Sequence, residues 1–238
     1  MKTKLVGILN ITPDSFSDGG NYFDVDSALA HAKELFADGA DFIDIGAQAT
    51  NPNAKPISPQ EEFNRIRKFV ELFDYPFSID TFNPEVAEFA LSQGAMMINC
   101  VKSEMIPKMI KVAKKYNVPV VVTADNKESS YKIDNIAKLF NKFRFDYDKL
   151  IYDPGFGFHG SPDYDRYVLT RIDHFTYRFK PMMVGISRKS FIGQITGEPV
   201  HDRDLTSAVF AAWCAVFGVE YIRTHNIKLT RKFIIDNG

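Results

Sequence analysis

Leu5-Val6-Gly7-Ile8-Leu9, ending in Asn10, is a short apolar run that stops where a polar residue begins a turn, and the same pattern returns seven times along the 238 residues. The later runs are Phe42 to Ile45, Phe77 to Ile79, Met96 to Ile98, Val118 to Val122, Leu150 to Tyr152, Met182 to Ile186 and Tyr221 to Arg223. Each has the length and residue types of a strand and is bounded by small or polar residues. Between them, Asp26 to Asp38, Pro59 to Phe73, Pro84 to Gln93, Glu104 to Tyr116, Asp134 to Phe145 and Leu205 to Phe217 carry apolar residues at spacings of three and four, which predicts helices.

Strands that are apolar throughout and alternate with helices imply a parallel sheet covered on both faces. Eight such units match a closed (β/α)8 barrel, a TIM barrel, better than an open doubly wound sheet. Nothing in 1–238 reads as a linker or low-complexity tract, so one α/β domain is expected. Helix starts are expected at Asp26, Ser58-Pro59 and Asn83-Pro84, where a capping residue is followed in two cases by proline at the first helical position. Gly39, Gly94 and Gly218 fall where helices should end in a left-handed residue.

Composition limits what such a barrel can do. Hydrophobic residues make up 45% and charged residues 25%, enough apolar surface for a sizeable core. Lys+Arg 29 against Asp+Glu 30 leaves a net charge of -1, which argues against nucleic acid or an anionic membrane as partner. Any anion site must be local. Cys100 and Cys214, the two cysteines, suit neither a disulfide framework nor a zinc site and point to a reducing compartment, the cytoplasm. The N-terminal run lacks an export signal, and Ala208 to Val219 is too short to span a membrane. The helix from Ala208 to Phe217, apolar nearly all round, is read as core rather than as a surface between subunits, the alternative it leaves open.

In a barrel of this kind the loops after the strands meet over one mouth, and chemistry gathers there. Polar residues stand at that end of every run. They are Asn10, then Asp44 and Thr50, then Asp80, Asn99, Asp125 and Asn126, Asp153, Ser187-Arg188-Lys189-Ser190, and Arg223 with His225. One Asp or Asn at a strand end often merely caps the next helix; a full ring of them is harder to explain that way. Ser187 to Ser190 supplies two cations and two hydroxyls, and Arg223 and His225 add cationic capacity one strand away, the composition of an anion clamp. Asp153-Pro154-Gly155-Phe156-Gly157-Phe158 sets a carboxylate beneath a glycine- and aromatic-bearing loop, which suits a flat heterocycle with donor nitrogens. Lys189 at a strand end is also compatible with a Schiff-base lysine of an aldolase-type barrel.

These residues carry a resemblance. Gly7-Ile8-Leu9-Asn10-Ile11-Thr12-Pro13-Asp14-Ser15-Phe16-Ser17-Asp18-Gly19-Gly20 is similar to the N-terminal signature of the dihydropteroate synthases, pterin-binding barrel enzymes. Asp44-Ile45-Gly46, Ser78-Ile79-Asp80-Thr81, the Asp153 to Phe158 segment, Gly185 to Ser190 and Arg223-Thr224-His225 resemble that family's later motifs in order. The resemblance implies condensation of 6-hydroxymethyl-7,8-dihydropterin diphosphate with 4-aminobenzoate, with loss of pyrophosphate and Mg²⁺ as cofactor. It also implies a homodimer.

Carried over by motif, Asp153, Asn126 and Lys189 would hold the pterin, with Asp80, Asn99, Asp125, Arg188 and Gly157 as further substrate contacts. Asn10, Arg223 and His225 would meet the pyrophosphate and its Mg²⁺, Asn10 as the metal ligand. Thr50, Ser190 and the loop around Phe16 would hold 4-aminobenzoate, and Lys189, Asp153, Arg223 and His225 would carry the chemistry. Three positions depart from the resembled pattern. Asn51 stands where an arginine for pyrophosphate is expected, Cys100 where a carboxylate at the pterin is expected, and Asp125 in a Met-His position. They keep open a pterin-binding homologue with weak or absent synthase activity; a pterin-dependent methyltransferase domain is a further alternative.

Overall fold

The computed structural model describes residues 2–12, 24–48, 57–124, 141–143, 147–158 and 161–234. Eight strands appear among them: β1 Lys4–Asn10, β2 Phe42–Gly46, β3 Phe77–Asp80, β4 Ile98–Cys100, β5 Val120–Thr123, β6 Leu150–Asp153, β7 Met183–Val184 and β8 Tyr221–Thr224. They pair in parallel in the order β6-β5-β4-β3-β2-β1-β8-β7, and a parallel bridge between Tyr152 and Met182 joins the two ends. The barrel expected from the eight runs is therefore present and nearly closed.

Three of the runs are displaced from the strands that form, the fifth beginning at Val120 rather than Val118. The fourth strand begins at Ile98 rather than Met96, because Met96 lies 43% exposed before the sheet starts. The seventh is reduced to Met183–Val184; Met182 is spent on the closing bridge, and Gly185-Ile186 already leads into the next loop.

The strand period of two sorts the barrel into layers. Val6, Phe42, Met97, Val121, Ile151 and Met183 pack together with Tyr221 in a cluster separate from the main core, one residue from each of seven strands or the residue just before it. This is the apolar plug inside the barrel. Two residues further along six of the same strands come Asp44, Asn99, Thr123, Asp153, Gly185 and Arg223, and β3 contributes Ser78 and Asp80. The interior thus changes from apolar to polar within one repeat, toward the ends where the strands finish. The alternate residues, such as Ile43, Ile98, Cys100, Val120 and Val122, face outward into the larger core beneath the helices.

Nine α-helices cover the strands among the described residues: α1 Val25–Ala37, α2 Pro59–Val70, α3 Pro84–Ser92, α4 Ile106–Tyr116, α5 Pro162–Thr170, α6 Ile172–Arg178, α7 Ser190–Thr196, α8 Asp204–Val216 and α9 Ile227–Phe233. Ser58 caps α2 by accepting from the Glu61 N–H, as expected. Asp26 does not cap α1; Asp24 does, accepting from the N–H groups of Asp26 and Ser27. Asn83 precedes Pro84 at the start of α3 but makes no cap, since its side-chain amide is given to Glu62. Gly39, Gly94 and Gly218 follow their helices with φ of 102°, 100° and 87°, a region where a side chain is strained.

The expectation that Ala208 to Phe217 is core fails for one face. On α8, Ala208, Ala211 and Cys214 are buried, but Leu205, Val209, Trp213 and Val216 are 43–73% exposed. No helix of the described residues is long and apolar enough to cross a membrane.

Candidate functional site

Arg223, half-buried on β8, organises the floor of the barrel mouth. Its Nε donates to Asp44 Oδ2 at 2.6 Å and its Nη2 to Asp80 Oδ2 at 3.0 Å. Asp44 is wholly buried and accepts two further bonds, from Ser78 Oγ at 2.5 Å and from Asn99 Nδ2 at 2.9 Å. Burial would lower the Arg223 pKa, but the carboxylates of Asp44 and Asp80 outweigh it and hold the pKa above its ordinary value. A charge buried this deeply is tolerable only because it is paired and hydrogen-bonded.

Beside this pair lies a narrow cavity of about 40 Å³ lined by Asp80, Asn99, Asp153, Phe156, Phe158, Lys189 and Arg223, with Val101 and Gly185. Asp80 Oδ1 and Asn99 Oδ1 are buried there with no hydrogen-bond partner among the described residues; Thr123 Oγ1, at the end of β5, is likewise buried without one. Buried acceptors without donors are costly, so their presence marks a place where a ligand's donors belong.

Carboxylates and cations share this region, and burial shifts the titration of Asp80, Asp153 and Lys189. Asp80 is raised to about 7 by desolvation, against the pull of Arg223. Asp153 is raised to about 6 by desolvation, although it accepts from the Gly155 N–H at 2.8 Å and faces Lys189. Lys189 is lowered by burial and then by Arg223, with Asp153, Asp165 and Asp80 opposing. Its Nζ stands 4.7 Å from the centre of the Phe158 ring. A Cβ at Gly157 would come within 2.9 Å of Lys189 Cδ, so only glycine lets this loop back onto the lysine; its φ of 80° demands the same residue.

Asp153, Lys189, Arg223, Asp80 and Asn99 are therefore brought together, and Gly157 touches the group through Lys189. Asn10 and His225 stand on the same rim, at the ends of the neighbouring strands β1 and β8, but do not line this cavity. His225 Nδ1 lies 2.9 Å from Ser187 Oγ. Its pKa is pushed down to about 3 by burial and the nearby charges of Arg188 and Arg223, so the ring is neutral near pH 7. Arg188, with φ of 59°, places its guanidinium on both oxygens of Asp204 at 2.6 and 2.9 Å, which commits it to α8. Ser190 is exposed at the first turn of α7. Phe16, Thr50, Asn51, Asp125 and Asn126 lie outside the described residues.

The reading of Cys100 needs correction. It follows Asn99 on β4, so it points the other way, into the outer core, where it is fully buried and its Sγ lies 3.5 Å from Lys102 O. A carboxylate at this position would face helices rather than the cavity. The thiol therefore takes no charge from the mouth.

Two residues of the site escaped the sequence reading. Asp165, on α5 and 2% exposed, accepts the Gly157 N–H with both oxygens at 3.0 and 3.2 Å and faces Lys189. Glu62, on α2 and buried, accepts from Asn83 behind Asp80. Ser187 was visible only as part of a basic string. Asp165 and Glu62 carried no signal, because charged residues on amphipathic helices ordinarily face water.

A deep carboxylate, a lysine and an arginine over an apolar plug, at the strand-end mouth of a parallel barrel, define an enzyme site for a flat, donor-rich ligand bearing an anionic group. The model of the family described as pterin binding enzyme matches residues 6–225. The dihydropteroate synthase of Bacillus subtilis strain 168 is 35% identical over 241 residues, covering 95% of this chain and 85% of that protein. Among solved structures, the dihydropteroate synthase of Xanthomonas albilineans with 4-aminobenzoic acid superposes with a TM-score of 0.88 at 32% identity, covering 98% of this chain and 91% of the other. That of Anaplasma phagocytophilum with bound 6-hydroxymethylpterin-monophosphate gives 0.89 at 31% identity, covering 98% and 97%. The chain belongs to the pterin binding enzyme family, alongside the dihydropteroate synthases.

Proposed function

We propose that this protein is a dihydropteroate synthase, a transferase of folate biosynthesis that joins 6-hydroxymethyl-7,8-dihydropterin diphosphate to 4-aminobenzoate and releases pyrophosphate. The observation that carries this reading is the set of buried acceptors at the mouth. Asp153, the free oxygens of Asp80 and Asn99, and the aromatic walls of Phe156 and Phe158 match the amino and ring N–H groups of a pterin edge. Relatives of this fold are seen with 4-aminobenzoic acid and with a pterin monophosphate, which supports the same two ligands here.

On this reading the bond from the pterin methylene carbon to the diphosphate oxygen breaks first, leaving a cationic pterin that the arylamine nitrogen attacks, and the amine then loses a proton. Positive charge on the pterin is stabilised by the Asp153 and Asp80 carboxylates below it. Lys189, whose pKa is lowered by burial, contacts the pterin from the Phe158 side. Arg223 and His225 face the departing diphosphate, one as a fixed cation and the other as a neutral donor. Ser190 with Thr50 and Phe16 would serve the arylamine side, and Asn126 and Asp125 the pterin.

Mg²⁺ is proposed as the cofactor. Among the described residues no group of three or more His, Cys, Asp or Glu side chains could hold a metal ion. What the rim offers is the exposed carboxamide of Asn10, one neutral oxygen. That donor fits a magnesium ion that arrives with the substrate's phosphate oxygens and keeps most of its water. Asn10 would then hold the ion, which would neutralise charge on the diphosphate.

The exposed stripe Leu205, Val209, Trp213 and Val216 supports a homodimer through α8. Two buried free cysteines are compatible with a cytoplasmic protein, and we read 1–238 as one working domain. Pterin binding without turnover rested on Asn51 and Cys100; with Cys100 facing the outer core, Asn51 is the departure that still favours it. The deciding experiment supplies both substrates and Mg²⁺ and measures dihydropteroate formed per pyrophosphate released.

A further inference from the structure

His225 follows β8 with its ring nitrogens in unequal surroundings. Nδ1 lies 2.9 Å from Ser187 Oγ, and the same Oγ accepts the backbone N–H of His225 at 3.3 Å. Ser187 is buried, 5% exposed, three residues past the end of β7, the strand next to β8. One of the hydroxyl oxygen's two lone pairs is engaged by the backbone N–H, and its single proton needs an acceptor. Among the described residues the acceptor within reach is Nδ1. A serine hydroxyl has one proton, and a neutral imidazole has one N–H and one lone pair.

We propose that Ser187 is a positioning residue that donates its hydroxyl proton to His225 Nδ1 and so fixes the ring as the Nε2–H tautomer, a neutral donor aimed at the leaving diphosphate. The assignment of the diphosphate rests on the synthase reading; the tautomer does not. Several features agree. Burial and the charges of Arg188, Arg223 and Lys189 keep the ring uncharged near neutral pH, so the choice between tautomers is a real one. Nε2 has no partner among the described residues. Ser187 is itself held, since the backbone N–H of the next residue, Arg188, is bonded to Ser207 Oγ at 3.0 Å on α8. In the Nε2–H form His225 gives the leaving oxygens a hydrogen bond without bringing another buried cation beside Arg223. In the opposite tautomer Nε2 would present a lone pair to an anion and repel it.

The test is a long-range ¹H–¹⁵N correlation spectrum of the histidine-labelled, ligand-free protein at pH 7, with the His225 ring identified by its loss in His225→Gln. The expected result is a protonated Nε2 and an unprotonated Nδ1. In Ser187→Ala the two nitrogens should shift toward an average of tautomers, and Ser187→Thr, which keeps the hydroxyl, should restore the pattern. In the enzyme assay Ser187→Ala should lower kcat about tenfold, the effect of one lost hydrogen bond, with the KM for 4-aminobenzoate unchanged. A wild-type ring protonated on Nδ1, or a ring pattern unaltered in a folded Ser187→Ala, overturns the proposal. The spectrum needs no turnover, so absence of synthase activity would refute the functional reading and leave this result to stand or fall alone.

Discussion

Arg223 and Asp44 meet at 2.6 Å across the top of β1, tying the last strand of the barrel to the second with a buried ion pair. The pair sits at the boundary between the apolar plug and the polar mouth. It serves stability and chemistry at once: it braces β8 against β2 across β1 inside the barrel and fixes the guanidinium beside the cavity.

Breaking it from the carboxylate side should be expensive. Asp44→Ala leaves Arg223 with Asp80 as its remaining ion-pair partner and strips acceptors from Ser78 and Asn99. Loss of one member of a buried pair costs about 3–5 kcal/mol. Urea unfolding of the variant should show a loss in that range; a loss below about 1 kcal/mol would mean the pair is not structural.

Lys189→Ala should behave in the opposite way. The ammonium is buried at a desolvation cost, so removing it should change stability by no more than about 1–2 kcal/mol. Loss of its electrostatic stabilisation should cut kcat/KM by about 100-fold or more. Parallel denaturation and initial-rate measurements check both numbers. Borohydride with a carbonyl substrate should not label Lys189, and labelling would instead support Schiff-base chemistry.

Gly157→Ala tests the close approach of loop and lysine. At φ of 80° an alanine is strained by about 1–2 kcal/mol, and its Cβ falls 2.9 Å from Lys189 Cδ. Melting should fall by a few degrees, and the KM for the pterin substrate should rise while 4-aminobenzoate is little affected.

How much of this was readable beforehand depended on periodicity. The eight strands could be seen because buried parallel strands are short, apolar and regularly spaced, and the mouth because polar residues ended each run. Cys100 was misread since adjacency to Asn99 suggests a shared site, whereas neighbours on a strand point to opposite faces. The exposure of Trp213 was hidden because an all-apolar helix looks the same whether it faces core or a partner. Asp165 and Glu62 were hidden because helical carboxylates ordinarily face solvent; only the fold turns these two inward.

Pterin binding should depend on pH through Asp153. Its folded pKa of about 6 lies above the ordinary 3.8, so the stability it contributes is fully present below 3.8 and is lost as pH rises through about 6. Binding follows the opposite sign, because the ionised carboxylate accepts the pterin's donors. Calorimetric titration with a pterin should show affinity rising between pH 5 and 7, and Asp153→Asn should bind weakly at every pH. A wild-type affinity flat across that window would remove Asp153 from the pterin site.

The most direct test measures pyrophosphate released by the purified protein with 6-hydroxymethyl-7,8-dihydropterin diphosphate and Mg²⁺, with and without 4-aminobenzoate. The account predicts release that depends on the arylamine and is matched by dihydropteroate, one for one. A folded protein that binds the pterin yet releases no pyrophosphate with both substrates present would contradict it.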